Sequence, residues 1–227
     1  MPATTTSKPR RVKRVASGVF FTLPETLPRG RHKLTPEQVS DAQSERLLAA
    51  VTELLAAHGY RGFGVGEIAS RAGVSLEAFY KCFAGKDACI FAGYDRFIDV
   101  LLRRMAAVDV PDDDRPGLTA ALLDAYLDTL QQDLVVARAY QVEIDALGTP
   151  ARARRRESLH LFANFIREEE ARASADERPS LPWSAYIGVV YAARQLASDA
   201  LDTSQSPDLN ALGEDLRIWI SDLFRER

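Results

Sequence analysis

The chain has 227 residues, of which 46% are hydrophobic and 27% charged, a composition typical of a folded globular protein rather than a disordered or fibrous one. Its 29 lysines and arginines face 32 aspartates and glutamates, so the net charge is only -3, and nucleic-acid binding would have to depend on local positive patches. The two cysteines, Cys82 and Cys89, have the spacing of neither a metal motif nor a CxxC pair, which excludes a zinc finger or disulfide framework. The longest apolar stretches are far shorter than the roughly 20 residues of a membrane span, so a soluble protein is predicted.

The first 33 residues are strongly basic, with eight lysines and arginines against Glu25 and a net charge of +7. Prolines and serine or threonine clusters interrupt this segment, so residues 1–33 are predicted to form a flexible basic arm. The alternative is that the arm packs on the acidic surface of its own protein. The mildly apolar stretch 15–23 resembles a signal peptide, but it ends at Pro24 without an A-x-A site, which disfavours export.

Helix signals begin at Thr35, an N-cap residue followed by Pro36 at the first helical position and by Gln38, which completes a capping box. Gly59 supplies the stop signal of this first helix. The helices predicted in this part of the chain span 36–58, 65–72, 76–83 and about 86–107. They predict a small N-terminal domain over residues 34–95.

Beyond an acidic loop at 110–115, prolines mark the starts of further helices, since proline is tolerated in the first helical turn. These helices span roughly 117–131, 133–146, 150–173, 182–202 and 207–225. No window alternates with a period of two between turn signals. The prediction is an all-α protein of about nine helices, with a larger helical domain over residues 96–227.

The region 65–83 predicts a helix-turn-helix, because two short helices flank the turn Gly73-Val74-Ser75. Ile68, Ala69 and Phe79 would seal the two helices against the first one. The second helix would then present its other face to the major groove of DNA. The alternative is a helical corner without a role in DNA binding.

At this point the sequence resembles the TetR (tetracycline repressor) family of bacterial transcriptional regulators. The matching residues, in order, are His58-Gly59-Tyr60, Ile68-Ala69, Ala72-Gly73-Val74-Ser75, Phe79-Tyr80, Phe83 and Lys86-Asp87. The long arm with Pro28-Arg29-Gly30-Arg31-His32, and the later Phe91-Ala92-Gly93-Tyr94-Asp95, are similar to an actinobacterial branch of the family.

The resemblance implies a cytoplasmic homodimer that binds double-stranded operator DNA and is released from it by a small effector. The DNA-contacting residues predicted on this basis are Gly64, Ser75, Leu76, Glu77, Ala78, Tyr80, Lys81 and Lys86. Tyr80 and Lys86 match the family and should contact phosphates, whereas Lys81 would reach a base. Gly64 stands where the family usually has a capping Thr or Ser, so that hydroxyl contact is absent.

Two further sets of residues are predicted to bind ligands. Cations of the arm are expected to follow the DNA backbone or minor groove, and they are Arg10, Arg11, Lys13, Arg14, Arg29, Arg31 and Lys33. A mostly apolar effector pocket with a few polar anchors is predicted from Tyr126, Tyr140, Glu143, Phe162, Asn164, Phe165, Tyr186, Tyr191 and Arg194. This lining favours a flat or lipophilic effector. The alternative for each aromatic residue is an ordinary place in the core.

Apolar stripes on the last two predicted helices indicate a two-fold dimer. They consist of Trp183, Ile187, Val190, Leu201, Leu212, Leu216, Trp219, Ile220 and Leu223. No GxSxG, HExxH or paired-carboxylate motif occurs, so no catalytic residue, metal or cofactor is predicted. The alternative function is a helical protein of the same fold that acts as an enzyme or binds a small molecule without specific DNA binding. Cys82 is interpreted as a plain small side chain rather than an oxidation sensor.

Overall fold

A computed structural model describes residues 12–22, 35–109, 115–172 and 181–225, and these form nine α-helices and two 3₁₀ segments. The helices are α1 (Pro36–His58), α2 (Val65–Ala72), α3 (Leu76–Cys82), α4 (Lys86–Ala106), α5 (Arg115–Gln132), α6 (Leu134–Gln141), α7 (Thr149–Arg172), α8 (Trp183–Thr203) and α9 (Leu209–Arg225). The 3₁₀ segments are Tyr60–Gly62 and Glu143–Leu147. The all-α prediction is confirmed. None of the described helices is both long and apolar enough to cross a membrane.

The predicted sixth helix is wrong at its C-terminal end. A continuous helix was expected over 133–146, but α6 stops at Gln141 and a 3₁₀ segment follows. The carbonyl of Gln141 accepts hydrogen bonds from two side chains of α8, Arg194 Nη2 at 2.8 Å and Ser198 Oγ at 2.7 Å. These tertiary bonds satisfy the carbonyl that a continuing helix would bond to residue 145, so the chain can turn here.

Helix α1 is the central element of the fold. Its start has the predicted capping box, in which the Thr35 hydroxyl accepts from the Gln38 N–H at 3.3 Å. From Leu47 to Ala56 every residue is buried. This stretch packs against α2 and α4, and also against α6. The predicted domain boundary at residue 95 falls inside α4, so one continuous helix connects the N-terminal and C-terminal helices.

Residues 12–22, which we call the strap, correct the prediction of a fully flexible arm. Val15, Phe20 and Phe21 are buried in the same hydrophobic core as α1. Gly18 adopts a φ of +92° and donates its N–H to the Phe21 carbonyl at 2.8 Å, which closes a turn. Two adjacent phenylalanines bury a large apolar area, and this burial explains why the segment packs despite its basic flanks.

Two buried carboxylates hold the backbone of the strap. Val15 donates its N–H to Glu53 Oε1 at 3.0 Å, and Ala16 donates to Asp133 Oδ2 at 2.7 Å. Glu53 belongs to α1, whereas Asp133 caps the start of α6. Burial raises the pKa of Asp133, although its backbone hydrogen bonds oppose that shift. The strap is therefore bound to elements on both sides of the predicted boundary.

Candidate nucleic-acid interface and effector cavity

The structure contains the predicted helix-turn-helix. Helix α2 ends at Ala72, and the following Gly73 is left-handed with φ 66° and ψ 39°, a conformation that glycine adopts without strain. The Val74 N–H bonds back to the Ala69 carbonyl at 3.0 Å. Ser75 then caps α3, because its Oγ accepts from the Ala78 N–H at 3.1 Å. The turn is thus determined by local chemistry that the sequence displays.

One face of α3 is buried and the other is exposed. Phe79 is completely buried, and it packs with Ile68 and Ala69 of α2 in the core. Leu76 is 52% exposed and Tyr80 is 59% exposed. The predicted DNA-contacting residues of α3 that reach solvent are Ser75, Leu76, Glu77, Tyr80 and Lys81, while Ala78 is half-buried. This exposed face has the position required of a surface that enters a groove.

Lys81, the predicted base contact, is paired in the free protein. Its Nζ lies 2.7 Å from Glu77 Oε1, one turn away on α3, and both side chains are largely exposed. The hydrogen bond to Glu77 raises the pKa of Lys81 and lowers that of Glu77. Exposed pairs of this kind are weak because water competes for both charges. Lys81 can therefore exchange Glu77 for DNA at little cost.

Gly64 caps α2 through its backbone. Its N–H donates to Glu67 Oε2 at 2.9 Å, and backbone N–H groups at this helix start lower the pKa of the Glu67 carboxyl. The predicted contribution of Gly64 to DNA contact is limited to its backbone.

Lys86, a predicted phosphate contact, holds the turn that precedes α2. Its Nζ donates to the carbonyls of Tyr60 at 2.7 Å and Phe63 at 3.0 Å, and it lies 4.0 Å from the centre of the Tyr60 ring. Two of its three N–H groups are used in this way. The structure therefore gives Lys86 a positioning role, and direct contact of its third N–H with a phosphate stays a prediction.

The arm contributes two described cations, Lys13 and Arg14, and both are exposed. Arg14 lies 3.8 Å from Glu53, and the Lys13 carbonyl accepts from Arg71 of α2 at 3.4 Å. These contacts place both residues beside the helix-turn-helix. The other predicted arm contacts lie outside the described residues, and they are Arg10, Arg11, Arg29, Arg31 and Lys33.

Cys82 sits at the end of α3 and is half-buried. Burial raises the pKa of its thiol, and a hydrogen bond with Ser40 opposes that shift. Reactive cysteines have lowered pKa values. The environment of Cys82 therefore favours the interpretation as a plain small side chain.

A cavity lies between α4, α5, α7 and α8, and about 680 Å³ of its space, part of it open to solvent, is free of protein atoms. Apolar side chains dominate the lining, among them Phe97, Ile98, Leu101, Leu159, Phe162 and Val190. Its main polar side chains are Tyr94, Tyr126, Gln141, Arg155, Ser158 and Arg194. A lining of this composition suits a small ligand with an apolar body and few polar groups.

The cavity has a polar end and an apolar end. Helices α4 and α7 run side by side in the same direction, because Asp95 pairs with Arg154 at one level while Leu102 and Leu161 share a groove further along. Lining residues extend from position 94 to 105 on α4 and from 155 to 166 on α7, a distance of about 16 Å. The polar lining residues of these two helices are Tyr94 on α4 and Arg155 and Ser158 on α7. They lie at the N-terminal ends of the two ranges, so the polar end of the cavity is the end nearer the helix-turn-helix.

Four of the nine predicted pocket residues line this cavity, namely Tyr126, Tyr140, Phe162 and Arg194. Sequence reasoning missed Tyr94, Gln141, Arg155 and Ser158. The stripe Leu159, Phe162 and Ile166, continued one turn towards the N-terminus, would have indicated Arg155 and Ser158.

The structure corrects the predicted lining at the five other positions. Asn164 and Phe165 face a groove on the outer side of α7, together with Leu102 and Leu161. Tyr186 is buried against Phe224 and donates to Glu170. Tyr191 is 43% exposed on the outer face of α8, and the carboxylate of Glu143 lies beside Gly59. Helical periodicity showed that these side chains share apolar faces but could not show which face encloses the cavity.

The residues of the predicted dimer stripes differ in their exposure to solvent. Val190, Leu201, Leu216 and Ile220 are buried within the chain itself, whereas Trp183, Ile187 and Leu212 are half-buried. The apolar side chains that α8 and α9 leave exposed are Tyr191, Leu196, Ile218, Trp219 and Leu223. We call these five residues the α8–α9 outer face.

The aromatic side chains of the strap and the cavity are in contact. Phe20 packs on Phe97 with ring centres 5.4 Å apart, and Phe97 packs on Tyr140 at 5.5 Å. The Tyr140 hydroxyl shares a hydrogen bond of 2.7 Å with Thr52 of α1, and burial raises the pKa of Tyr140. Gly93 permits this approach, because a Cβ there would lie 2.0 Å from the Tyr140 hydroxyl. The cavity wall is therefore continuous with α1 and the strap.

Comparison with known proteins agrees with this architecture. Residues 47–92 match the model for bacterial regulatory proteins of the tetR family. The regulator EthR of Mycobacterium tuberculosis is 24% identical over 216 residues, covering 88% of this chain and 95% of that protein. The activator FasR of Mycolicibacterium smegmatis is 32% identical over 110 residues, covering 48% of this chain and 50% of that protein.

Solved structures share the fold. The fatty acid degradation regulator FadR of Bacillus halodurans has a TM-score of 0.65 at 20% identity, covering 86% of this chain and 100% of that one. FadR of Bacillus subtilis in complex with stearoyl-CoA has a TM-score of 0.63 at 18% identity, covering 78% of this chain and 96% of that one.

Proposed function

The chain belongs to the TetR family of bacterial transcriptional regulators, and on that basis we propose that it is a dimeric, cytoplasmic repressor released from its operator by a lipophilic effector. The observation that carries this proposal is that α4 begins beside the helix-turn-helix and lines the cavity from Tyr94 onwards. A ligand that moves α4 changes the position of α3. Operator binding and effector binding are then linked, and each must weaken the other by the same factor.

The apolar lining supports an effector with an extended hydrocarbon part. The cavity follows α4 and α7 for about 16 Å between mostly apolar walls, which suits a chain better than a compact polar molecule. The stearoyl-CoA bound by the B. subtilis neighbour also contains a long acyl chain. We therefore propose a ligand of the alkyl or acyl class.

Two steps test the function. The purified protein is first used to select duplexes from fragmented genomic DNA, and its affinity for a selected duplex is compared with that for a scrambled one. We expect strong preference for the selected duplex, and weaker binding when alkyl or acyl compounds are added. Equal affinity for both duplexes would instead support the alternative, a small-molecule-binding protein or enzyme without specific DNA binding.

Variants of the two lysines should affect DNA binding differently. Lys81→Ala is expected to relax preference at one base pair by about tenfold without lowering the melting temperature, because Lys81 is exposed. Lys86→Met is expected to weaken binding to all duplexes and to lower the melting temperature, because it frees the carbonyls of Tyr60 and Phe63. Fluorescence anisotropy and thermal melts measure both effects. An unchanged melting temperature for Lys86→Met would contradict its positioning role.

The α8–α9 outer face is the proposed dimer interface. Ile218 is 69% exposed and lies beside Trp219, and exposed apolar groups that cluster in this way mark interaction sites. Ile218→Arg should convert the dimer to a monomer at micromolar concentration in sedimentation velocity, because burying an unpaired guanidinium opposes association. Leu161→Arg is the control, since Leu161 is an exposed leucine on α7 outside this face. If Ile218→Arg sediments as a dimer, the interface lies elsewhere.

A further inference from the structure

The polar end of the cavity contains a hydrogen-bond acceptor without a partner. Gln141 is buried at the end of α6 and lines the cavity, and its Nε2 donates to the Tyr126 hydroxyl at 2.9 Å. Its Oε1 is buried and has no hydrogen-bond partner among the residues that the structure describes. Buried carbonyl oxygens are normally bonded, because an unmet acceptor loses its hydration without compensation. A ligand that donates a hydrogen bond would satisfy this atom.

The surrounding groups hold Gln141 in place. Its carbonyl accepts from Arg194 and Ser198, so the backbone is fixed to α8. The Tyr126 hydroxyl accepts from Nε2, and its own hydrogen is still able to bond to a ligand carbonyl. Burial raises the pKa of Tyr126, which keeps the hydroxyl protonated. An acceptor and a donor therefore meet at this end of the cavity.

The two arginines at this end share one carboxylate. Arg155 donates to Asp145 Oδ2, and Arg194 lies 3.5 Å from the same oxygen. Asp145 Oδ1 is a second buried oxygen without a partner in the described part of the chain. Both guanidiniums line the cavity, and Asp145 neutralises only one of their two charges. A carboxylate head group nevertheless has no hydrogen to donate at neutral pH and would leave Gln141 Oε1 unbonded, whereas a neutral head group with an N–H or O–H satisfies this acceptor.

We propose that the effector of this cavity has a neutral head group that donates a hydrogen bond to Gln141 Oε1, as a primary carboxamide does, and an apolar tail that lies towards Met105 and Ile166. This inference rests on the proposed function, because it names the head group of the same lipophilic effector. Gln141 determines which head group binds, and Tyr126 positions the Gln141 amide.

Four ligands with the same alkyl chain length separate the possible head groups. Decanamide donates and accepts, 1-decanol also has a donor, methyl decanoate only accepts, and decanoate is an anion at neutral pH. Each is titrated into the purified full-length protein by isothermal calorimetry below its aggregation threshold. We expect decanamide to bind about tenfold more tightly than methyl decanoate, because the ester leaves Gln141 Oε1 unbonded. Decanol should also bind more tightly than the ester.

Variants then assign the preference to Gln141. Gln141→Leu should bring the affinity ratio of decanamide to methyl decanoate close to one while the ester still binds. Tyr126→Phe leaves the Gln141 amide free to rotate and present its N–H groups, so the ester should gain affinity and the ratio should narrow. Gln195→Leu is the matched control, because Gln195 is exposed on α8 and bonds to Asp199. Thermal melts confirm that each variant is folded.

The outcomes distinguish the head group from the function. A tenfold preference for the amide that disappears in Gln141→Leu supports the proposal. A preference for the ester, tightest binding of decanoate, or an amide preference that survives Gln141→Leu would each overturn the head group and leave a lipophilic effector in place. If none of the four ligands binds while the selected operator still does, the lipophilic effector itself is wrong, and the head group with it.

Discussion

Replacing Phe20 with alanine is expected to lower the free energy of unfolding by about 3–5 kcal/mol. Phe20 is 2% exposed and packs on Phe97, which belongs to the cavity wall. The truncated side chain would leave a void between α4 and the strap, since neighbours close such voids only partly. Urea unfolding followed by circular dichroism measures the change, at one protein concentration because association also stabilises a dimer.

Leu161→Ala is the control for this measurement. Leu161 is 53% exposed, so its truncation removes little buried area and should leave stability nearly unchanged. A loss below about 1 kcal/mol for Phe20→Ala would show that the strap is not part of the folded core. The prediction of a flexible arm would then hold for the strap as well.

Replacing Glu53 with alanine is expected to cost about 3 kcal/mol of stability, because it removes one partner of a buried ion pair. The Glu53 side chain is 1% exposed and binds both the guanidinium of Arg71 and the backbone N–H of Val15. Arg71 retains 21% exposure, which places the loss at the lower end of the range for such pairs. Operator affinity should fall as well, since Arg71 connects α2 to α1.

Glu77→Ala is the contrasting variant. It also removes the carboxylate of an ion pair, that of Glu77 with Lys81, but this pair is exposed whereas the Glu53 carboxylate is buried. The Glu77 pair with Lys81 is almost wholly in water, so stability should be unaffected while DNA recognition changes. Urea unfolding and anisotropy on the selected duplex distinguish these effects. Equal stability of Glu53→Ala and the parent would mean that the Glu53–Arg71 pair does not hold the helix-turn-helix on α1.

The sequence alone determined the elements whose signals are local. The capping box at Thr35 and Gln38 and the turn Gly73-Val74-Ser75 between α2 and α3 each depend on a few neighbouring residues, and the structure has both. The spacing of Ile68 and Phe79 likewise predicted which side of the helix-turn-helix is buried. Local hydrogen bonds and helical periodicity depend only on residues that are close together in the sequence, and this is why the sequence predicts them correctly.

Only the tertiary structure decided the features that join distant residues. Val15 is hydrogen-bonded to Glu53, 38 positions away, and Ala16 to Asp133, 117 positions away. Composition does not show such contacts, and it therefore predicted a flexible arm for residues that pack as the strap. The polar end of the cavity likewise combines Tyr126, Gln141 and Arg194 from three helices. An apolar stripe shows that a helix buries one side, but the packing of its neighbours determines whether that side faces core, cavity or partner. Burial and hydrogen bonding between such residues depend on how the helices cross, and this geometry is set by all of the contacts together.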